Sequence, residues 1–298
     1  MSQLPDNLIW FGPNANCTLE LCPVEASILR YQPSVPANAL FIAIFGLALV
    51  AHAVQGVWFR TWGFMASMLC GCVLEIAGYV GRLIIHDNPF DFNGFIMQIV
   101  CITIAPVFFS AAIYVLLSQV IKKVDPSISR FRPNLFYWIF IPVDIVSLVL
   151  QAAGGALSCL ATTESAVQEG VNISLAGLVF QVFTLLCFSL LFVDYLLRCK
   201  RTPSAWQFVD KRMMFFLTLL SMAIFFVLLR CVYRIVELHD GYFSHWFRDE
   251  PLFIALESSV MCCAVLSLNI GHPGPVLGKK QKAIDNANKE LAGASGEA

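Results

Sequence analysis

Charged residues are scarce in this chain. Asp, Glu, Lys and Arg make up 13% of its 298 residues, whereas 58% are hydrophobic; a soluble globular protein carries about 25% charged residues. Because a soluble domain of this length could not hide so much apolar surface, lipid must be its solvent. The net charge of -1 and the lack of a long basic run give no reason to expect a nucleic-acid partner.

Motifs for nucleotide and metal chemistry are also missing. The chain has no Gly-x-x-x-x-Gly-Lys-Ser/Thr phosphate loop, so it does not hydrolyse ATP by that route. It has no His-Glu-x-x-His motif and no Gly-x-Ser-x-Gly elbow, and its five histidines are scattered along the chain. We therefore predict no metal, no cofactor and no enzymatic activity, with a lipid-modifying membrane hydrolase as the weaker alternative.

Long apolar runs fill most of the sequence. A membrane span needs roughly 20 mostly apolar residues, and in hydrocarbon a span satisfies its own backbone groups as a helix. Seven such runs predict an all-α, polytopic membrane protein, a bundle of seven transmembrane helices at about 37–57, 62–85, 94–121, 136–158, 173–197, 213–237 and 251–271. The predicted division is an extracellular N-terminal segment (1–36), the transmembrane domain (37–271) and a flexible cytosolic tail (272–298).

The distribution of Lys and Arg predicts the orientation. Cytoplasmic segments of membrane proteins carry an excess of these residues. With the N-terminus outside, fourteen of the 19 fall in cytosolic segments, three lie within spans, and the outer segments hold only Arg30 and Arg248. We therefore predict an outer N-terminus, a cytosolic C-terminus, and residence in the plasma membrane, with another endomembrane as the alternative.

Two further features agree with this orientation. Asn16 and Asn172 begin N-glycosylation sequons that fall on the outer side. Cys17, Cys22 and Cys159 also fall there, where disulfides persist. The sequence leaves open whether Cys17 bonds Cys22 or Cys159.

Polar residues recur inside the predicted spans, where ionisable groups are costly and usually face a protein interior or a wet cavity. Glu75 and Arg82 are seven residues apart and share one helix face, with Tyr79 between them. Together with residues on other spans they predict a polar cavity that binds substrate, formed by Glu75, Tyr79, Arg82, Gln98, Tyr114, Asp144, Gln151, Gln181, Arg230, Arg234, Glu237 and Glu257.

Two interpretations of these charges stay open. In the first, Arg82 with Glu75 and Arg234 with Glu257 form ion pairs that only fix helix packing. In the second, the charges line a cavity for a lipid headgroup, and Glu75, about 15 Å below the outer end of its span at 1.5 Å per residue, exchanges a proton.

A series of motifs resembles one known family, the fungal RTA-like or aminocholesterol-resistance proteins, also called lipid-translocating exporters. The resemblance covers about residues 28–275, and its motifs keep the family's order and spacing. They are Tyr31-x-Pro33-Ser34; Glu75-Ile-Ala-Gly78-Tyr79-x-x-Arg82; Ala105-Pro106 with Ala111-Ala112-x-Tyr114; Asp144-x-x-Ser147-x-x-x-Gln151-x-x-Gly154-Gly155; Gly177-Leu178-x-x-Gln181; Arg230-x-x-Tyr233-Arg234-x-x-Glu237; Glu257; and His272-Pro273-Gly274.

The resemblance implies a fungal membrane protein linked to export of sphingoid long-chain bases, lipid asymmetry and resistance to toxic amphiphiles. Its partners would be membrane lipids and an amphiphilic small-molecule substrate; the oligomeric state is left open. The predicted function is therefore export of amphiphilic lipids. The alternative is a receptor-like seven-helix lipid sensor without transport activity, although the Asp-Arg-Tyr and Asn-Pro-x-x-Tyr motifs of G-protein-coupled receptors are absent.

Overall fold

Seven helices are long and apolar enough to cross a membrane. They belong to a computed structural model that describes residues 8–9, 12–124, 126–161, 163–207, 209–239, 241 and 246–277. No strand occurs in these residues, so the predicted all-α fold of seven membrane-spanning helices is confirmed. We number the helices α1 (Val35–Phe59), α2 (Trp62–Asp87), α3 (Phe92–Val124), α4 (Leu135–Leu160), α5 (Glu164–Arg201), α6 (Lys211–His239) and α7 (Glu250–Leu277).

Short polar side chains begin several of these helices. The Asp91 carboxylate accepts a hydrogen bond from the backbone N–H of Gly94, and the Thr163 hydroxyl accepts one from Ala166. Asp210 and Asp249 do the same at the starts of α6 and α7. Because the first N–H groups of a helix have no partner within it, such caps fix where these four helices start.

The last helix changes its pitch. It begins with one α-helical turn, Glu250–Leu252, becomes a π-helix over Phe253–Ser259, and returns to α-helix at Val260–Ile270. A π segment is uncommon, and such segments occur frequently at functional sites. Residues 273–277, near the start of the predicted tail, are helical, and residues 278–298 lie outside the described residues.

The most extensive helix contacts are those of α2 with α3 and α1, and of α4 with α5, and α6 packs against α7. Glycines permit the closest contacts: a Cβ atom on Gly81 would lie 2.9 Å from the backbone nitrogen of Gln98 in α3. The helices α3 and α4 contact each other much less extensively than α2 and α3 do. This difference leaves a gap on one side of the bundle.

The segment before α1 covers one end of the bundle, which we call the N-terminal side. Cys17 and Cys22 form a disulfide with an S–S distance of 2.02 Å, and both pack against Phe90. Ile28 and Leu29 pack against side chains from the ends of α2 and α3. The helices α2, α4 and α6 end at the N-terminal side. The helix α7 begins there and ends on the opposite side of the bundle, which we call the C-terminal side.

Candidate functional site

All twelve predicted site residues are buried. The most exposed of them are Gln151 and Arg234, each 7% accessible. The structure therefore directs the polar stripes of the spans inward, but it distributes them over several separate clusters.

Arg82 lies at the centre of the first cluster, near the N-terminal side. Its Nε donates to Asn38 Oδ1 at 3.0 Å, and its Nη2 donates to the Tyr31 hydroxyl at 3.2 Å. Glu250 is its ionic partner, with Nη2 and Oε1 3.4 Å apart, and the guanidinium lies 4.1 Å from the centre of the Phe253 ring. Arg82 thus joins the segment before α1 to α2 and α7.

Tyr31 and Glu250 complete this cluster. Burial raises the pKa of the Tyr31 phenol above its usual value, while Arg82 beside it acts in the opposite direction. The backbone N–H of Ser34 donates to Glu250 Oε1 at 2.7 Å. The sequence analysis did not single out Glu250, although it stands seven residues before Glu257 and so on the same face of an ideal helix.

Arg230 and Glu257 form the second cluster, between α6 and α7. Arg230 donates to Glu257 Oε1 through both Nε (2.9 Å) and Nη2 (2.6 Å), and each residue is 1% exposed. Nη2 also donates to the carbonyl oxygen of Ile102 at 2.6 Å. Pro106, four residues further along α3, has no N–H to give that carbonyl, so Arg230 satisfies the helix bond that the proline removes.

Arg234 pairs with Glu237, one turn further along the same helix. Its Nη2 also donates to Thr103 Oγ1 at 3.3 Å. The structure therefore corrects both ion pairs named from the sequence, because Arg82 pairs with Glu250 and Arg234 with Glu237. Sequence spacing shows which residues share a helix face, but only the packing of the helices decides which side chains meet across them.

Glu75 has a different environment from the paired acids. It is 1% exposed, and neither carboxylate oxygen has a hydrogen-bond partner among the described residues. Arg230 and Glu257 interact with it electrostatically. Tyr79, one turn along α2, packs against the rings of Phe41 and Phe45, at centroid distances of 5.2 and 5.8 Å.

Asp144 is the second buried acid without an arginine partner in the described structure. The Tyr114 hydroxyl on α3 donates to Asp144 Oδ2 on α4 at 2.9 Å, while Oδ1 has no partner in the described part of the chain. Tyr114 also packs against Phe188 of α5, with ring centroids 4.5 Å apart. This contact links α3, α4 and α5 in the middle of the bundle.

The buried amides join α4 to α5. Gln151 Nε2 donates to Gln181 Oε1 at 3.0 Å, and the Ser174 hydroxyl donates to the Gln151 carbonyl at 3.0 Å. Gln98, on α3, is 3% exposed and lies against Gly81 of α2.

The gap beside α3 is an apolar cavity of about 450 Å³. On α4 its lining runs from Ile145 to Cys159, about 21 Å at 1.5 Å per residue, so the cavity is long and narrow. Its walls are mostly aliphatic, and its polar groups come from Gln151, Arg234 and two residues that the sequence did not predict to line it, Thr103 and Ser174.

The cavity opens sideways, toward the lipid. Val100 on α3 and Val149 on α4 line it and are 44% and 61% exposed. Of the twelve predicted residues, Gln151 and Arg234 line this cavity. The other predicted residues form the buried clusters described above.

The remaining predicted sites lie on the N-terminal side. Asn16 and Asn172 are both exposed, the second within α5, and their glycosylation stays a prediction. Of the two disulfides considered, the structure contains Cys17–Cys22. Cys159 is a free cysteine in the wall of the cavity.

The sequence of this chain is similar to those of known proteins. A family model described as "RTA1 like protein" matches residues 68–280. The "Sphingoid long-chain base transporter RSB1" of Saccharomyces cerevisiae (strain Lalvin EC1118 / Prise de mousse) is 32% identical over 281 residues, which is 81% of this chain and 72% of the relative.

Two other yeast relatives are more distant. "Protoporphyrin uptake protein 1" of Saccharomyces cerevisiae (strain ATCC 204508 / S288c) is 25% identical over 67% of this chain and 66% of its own length. "Protein RTM1" of Saccharomyces cerevisiae is 26% identical over 71% and 68%. No solved structure matches the chain. The family match covers well over half of the sequence, and the chain therefore belongs to the RTA1-like family of membrane proteins.

Proposed function

We propose that this protein moves amphiphilic lipids of the sphingoid long-chain base type across the membrane, and that the cavity beside α3 binds their alkyl chain. The cavity is the observation that carries the proposal. Its volume of about 450 Å³ falls within the roughly 300–1,000 Å³ of typical ligand pockets. The naming of a 32% identical yeast relative as a sphingoid long-chain base transporter supports the choice of lipid.

The shape of the cavity fits one chain with a small polar head. A sphingoid base has a single long tail and a head with an amine and hydroxyl groups. The aliphatic walls suit the tail, and a lipid can enter sideways between Val100 and Val149. Thr103, Gln151 and Ser174 offer hydroxyl and amide groups to the head.

The protein would work in the plasma membrane with its N-terminal side outside. The excess of Lys and Arg in the opposite loops supports this orientation, and so does the Cys17–Cys22 disulfide, since disulfides persist in oxidising compartments. Protease added to intact cells should remove an N-terminal tag and leave a C-terminal tag. The opposite pattern, or a fluorescent fusion confined to internal membranes, would contradict this assignment.

Transport can be tested with a matched pair of variants on α4. Ala152 and Ala153 are both exposed alanines, but only Ala152 lines the cavity. In liposomes containing the pure protein, Ala152→Phe should slow transbilayer movement of a labelled sphingoid base about tenfold or more, because a filled pocket discriminates strongly. Ala153→Phe should leave the rate unchanged.

The same assay separates transport from sensing. If the wild-type protein binds the sphingoid base but does not move it, the receptor-like alternative is correct. Equal rates for the two phenylalanine variants would show that the cavity is not the lipid path. Conversion of the labelled lipid to another compound would favour a hydrolase.

A further inference from the structure

Among the described residues near the N-terminal side, Glu75 is the buried acid that forms no ion pair with an arginine. Each of the three arginines there has its own carboxylate: Arg82 with Glu250, Arg230 with Glu257, and Arg234 with Glu237. Glu75 lies beside the second of these pairs and adds one more acid to it. With both carboxylates ionised, the group of Glu75, Arg230 and Glu257 would carry a net charge of -1.

That negative charge would be buried without compensation. All three side chains are 1% exposed, and an unpaired buried charge in a membrane is strongly unfavourable. Arginine stays protonated under all ordinary conditions. The group can therefore become neutral only by taking up a cation.

The surroundings of Glu75 favour a proton over a metal cation. Cys72 and Tyr79 face it from α2, Cys101 from α3, and Cys262 from α7. Hard cations such as Na⁺ prefer several oxygen ligands, and thiols are poor substitutes. No group of three or more His, Cys, Asp or Glu side chains in the described residues is arranged to hold a metal ion.

We infer that Glu75, Arg230 and Glu257 form a proton-binding site whose charge state controls the cavity wall through the bond from Arg230 to the Ile102 carbonyl. The control of the cavity rests on the proposed function, whereas the proton site does not. With Glu75 protonated, Arg230 binds Glu257 and Ile102, as in the structure. When the proton leaves to water, the Glu75 carboxylate competes for Arg230 and weakens its bond to α3.

The position of Ile102 makes this bond a route to the cavity. Its carbonyl lacks a helical partner because of Pro106, so α3 depends on Arg230 at this point. The next residue, Thr103, lines the cavity and accepts a hydrogen bond from Arg234, one turn along α6 from Arg230. Thus α6 forms hydrogen bonds to two adjacent residues of α3. Ile102 accepts from Arg230 of the proton site, and Thr103 accepts from Arg234 at the cavity. Glu257 itself lies on the π segment of α7.

Infrared difference spectroscopy on the reconstituted protein tests the proton site without any lipid substrate. A pH titration should show the carbonyl stretch of a protonated carboxylic acid, and deuteration should shift it. Glu75→Gln should remove that band or one component of it. The matched variant Glu250→Gln should leave the band in place, because Glu250 lies in the ion pair with Arg82 and outside the group of Glu75, Arg230 and Glu257.

Several results would overturn the inference. The first is a spectrum of Glu75→Gln identical to that of the wild type, which would assign the band to another acid such as Asp144. The second is the absence of a titrating band in the wild-type protein, a result that does not depend on how well any variant folds. The third is a titration that shifts when Na⁺ replaces choline at constant pH, which would make the site a cation site.

The link to the cavity has its own measurement. Sphingoid-base movement should depend on pH in the wild type and become independent of pH in Glu75→Gln. A pH-dependent Glu75→Gln variant would refute the link while leaving the infrared result intact. If the protein moves no sphingoid base at all, the proposed function fails, and the infrared titration still decides the proton site.

Discussion

The charge cluster around Arg230 and the cavity beside Thr103 touch adjacent residues of α3, yet they are built in different ways. The cluster is closed, with Glu75, Arg230 and Glu257 each 1% exposed. The cavity is open to the lipid between Val100 and Val149 and has mostly aliphatic walls. The polar residues that mark the family therefore lie mainly in buried clusters, while the lipid-sized space is lined mostly by aliphatic side chains outside the motifs, with Gln151, Leu178 and Arg234 among the exceptions.

This difference suggests separate tasks for the two regions. A buried network with paired charges holds helices in defined positions and responds to the gain or loss of a single proton. An apolar cavity accepts alkyl chains that differ in structure, because it makes few directional contacts with them. Their joint presence along α3 lets a charge change in one region alter the shape of the other.

The largest expected effect is on folding, from removal of the central cation of the cluster. Arg230→Gln leaves Glu257 and the Ile102 carbonyl without their donor, and breaking a buried pair costs about 3–5 kcal/mol. We expect the thermal unfolding midpoint of the purified protein to fall by roughly 10 °C or more. The matched variant Arg130→Gln removes an exposed arginine that contacts Asp194 and should leave the midpoint unchanged.

A second change tests whether the loss comes from the unpaired acid. Combining Arg230→Met with Glu257→Gln removes both charges and should recover much of the lost stability. If Arg230→Gln is as stable as the wild type, the cluster does not hold the helices together. The proposed difference in task between the cluster and the cavity would then be wrong.

A smaller effect is expected from restoring the helix bond at Ile102. Pro106→Ala supplies the missing N–H, so Arg230 becomes less important to α3. In a double-mutant cycle of thermal stability, the cost of Arg230→Gln should drop by about 1 kcal/mol in the Pro106→Ala background.

Pro142→Ala is the control for that cycle. Pro142 interrupts α4, and the carbonyl that it leaves free, four residues earlier, belongs to the lipid-exposed Trp138. Its coupling to Arg230→Gln should be near zero. Equal coupling for the two prolines would show that Arg230 does not specifically replace the bond lost at Pro106.

The smallest expected effect lies in the cavity. Thr103→Val keeps the side-chain shape and removes the hydroxyl that accepts from Arg234 at 3.3 Å. Binding of a sphingoid base, measured by fluorescence competition in detergent, should weaken by about 0.5–1 kcal/mol, or roughly two- to fivefold. Thr184→Val, on α5 outside the cavity lining, should not change binding. An unchanged affinity in Thr103→Val would contradict the hypothesis that the polar head of the sphingoid base binds near Thr103.

The sequence predicted the spans well, and the largest difference in length is in the fifth helix. Hydropathy gave the fifth span as 173–197, whereas the helix runs over Glu164–Arg201. Hydropathy measures the part of a helix that lipid can solvate. The Thr163 cap begins the helix earlier, and the basic last turn, with Arg198 and Arg201, extends it beyond the apolar run.

By itself, the sequence determined that this is a seven-helix membrane protein and that the polar residues singled out in the second to seventh spans turn inward. The hydrophobic length and the 3.6-residue period fix both, because each helix must satisfy its own backbone and hide its polar face. The tertiary structure decided which side chains meet: Arg82 with Glu250, Arg230 with Ile102, and Thr103 with Arg234. Rotation, tilt and the π segment of α7 set those contacts, and they arise from the packing of helices distant in sequence. The cavity has the same origin, because it is the space that the packing of α3 and α4 leaves unfilled.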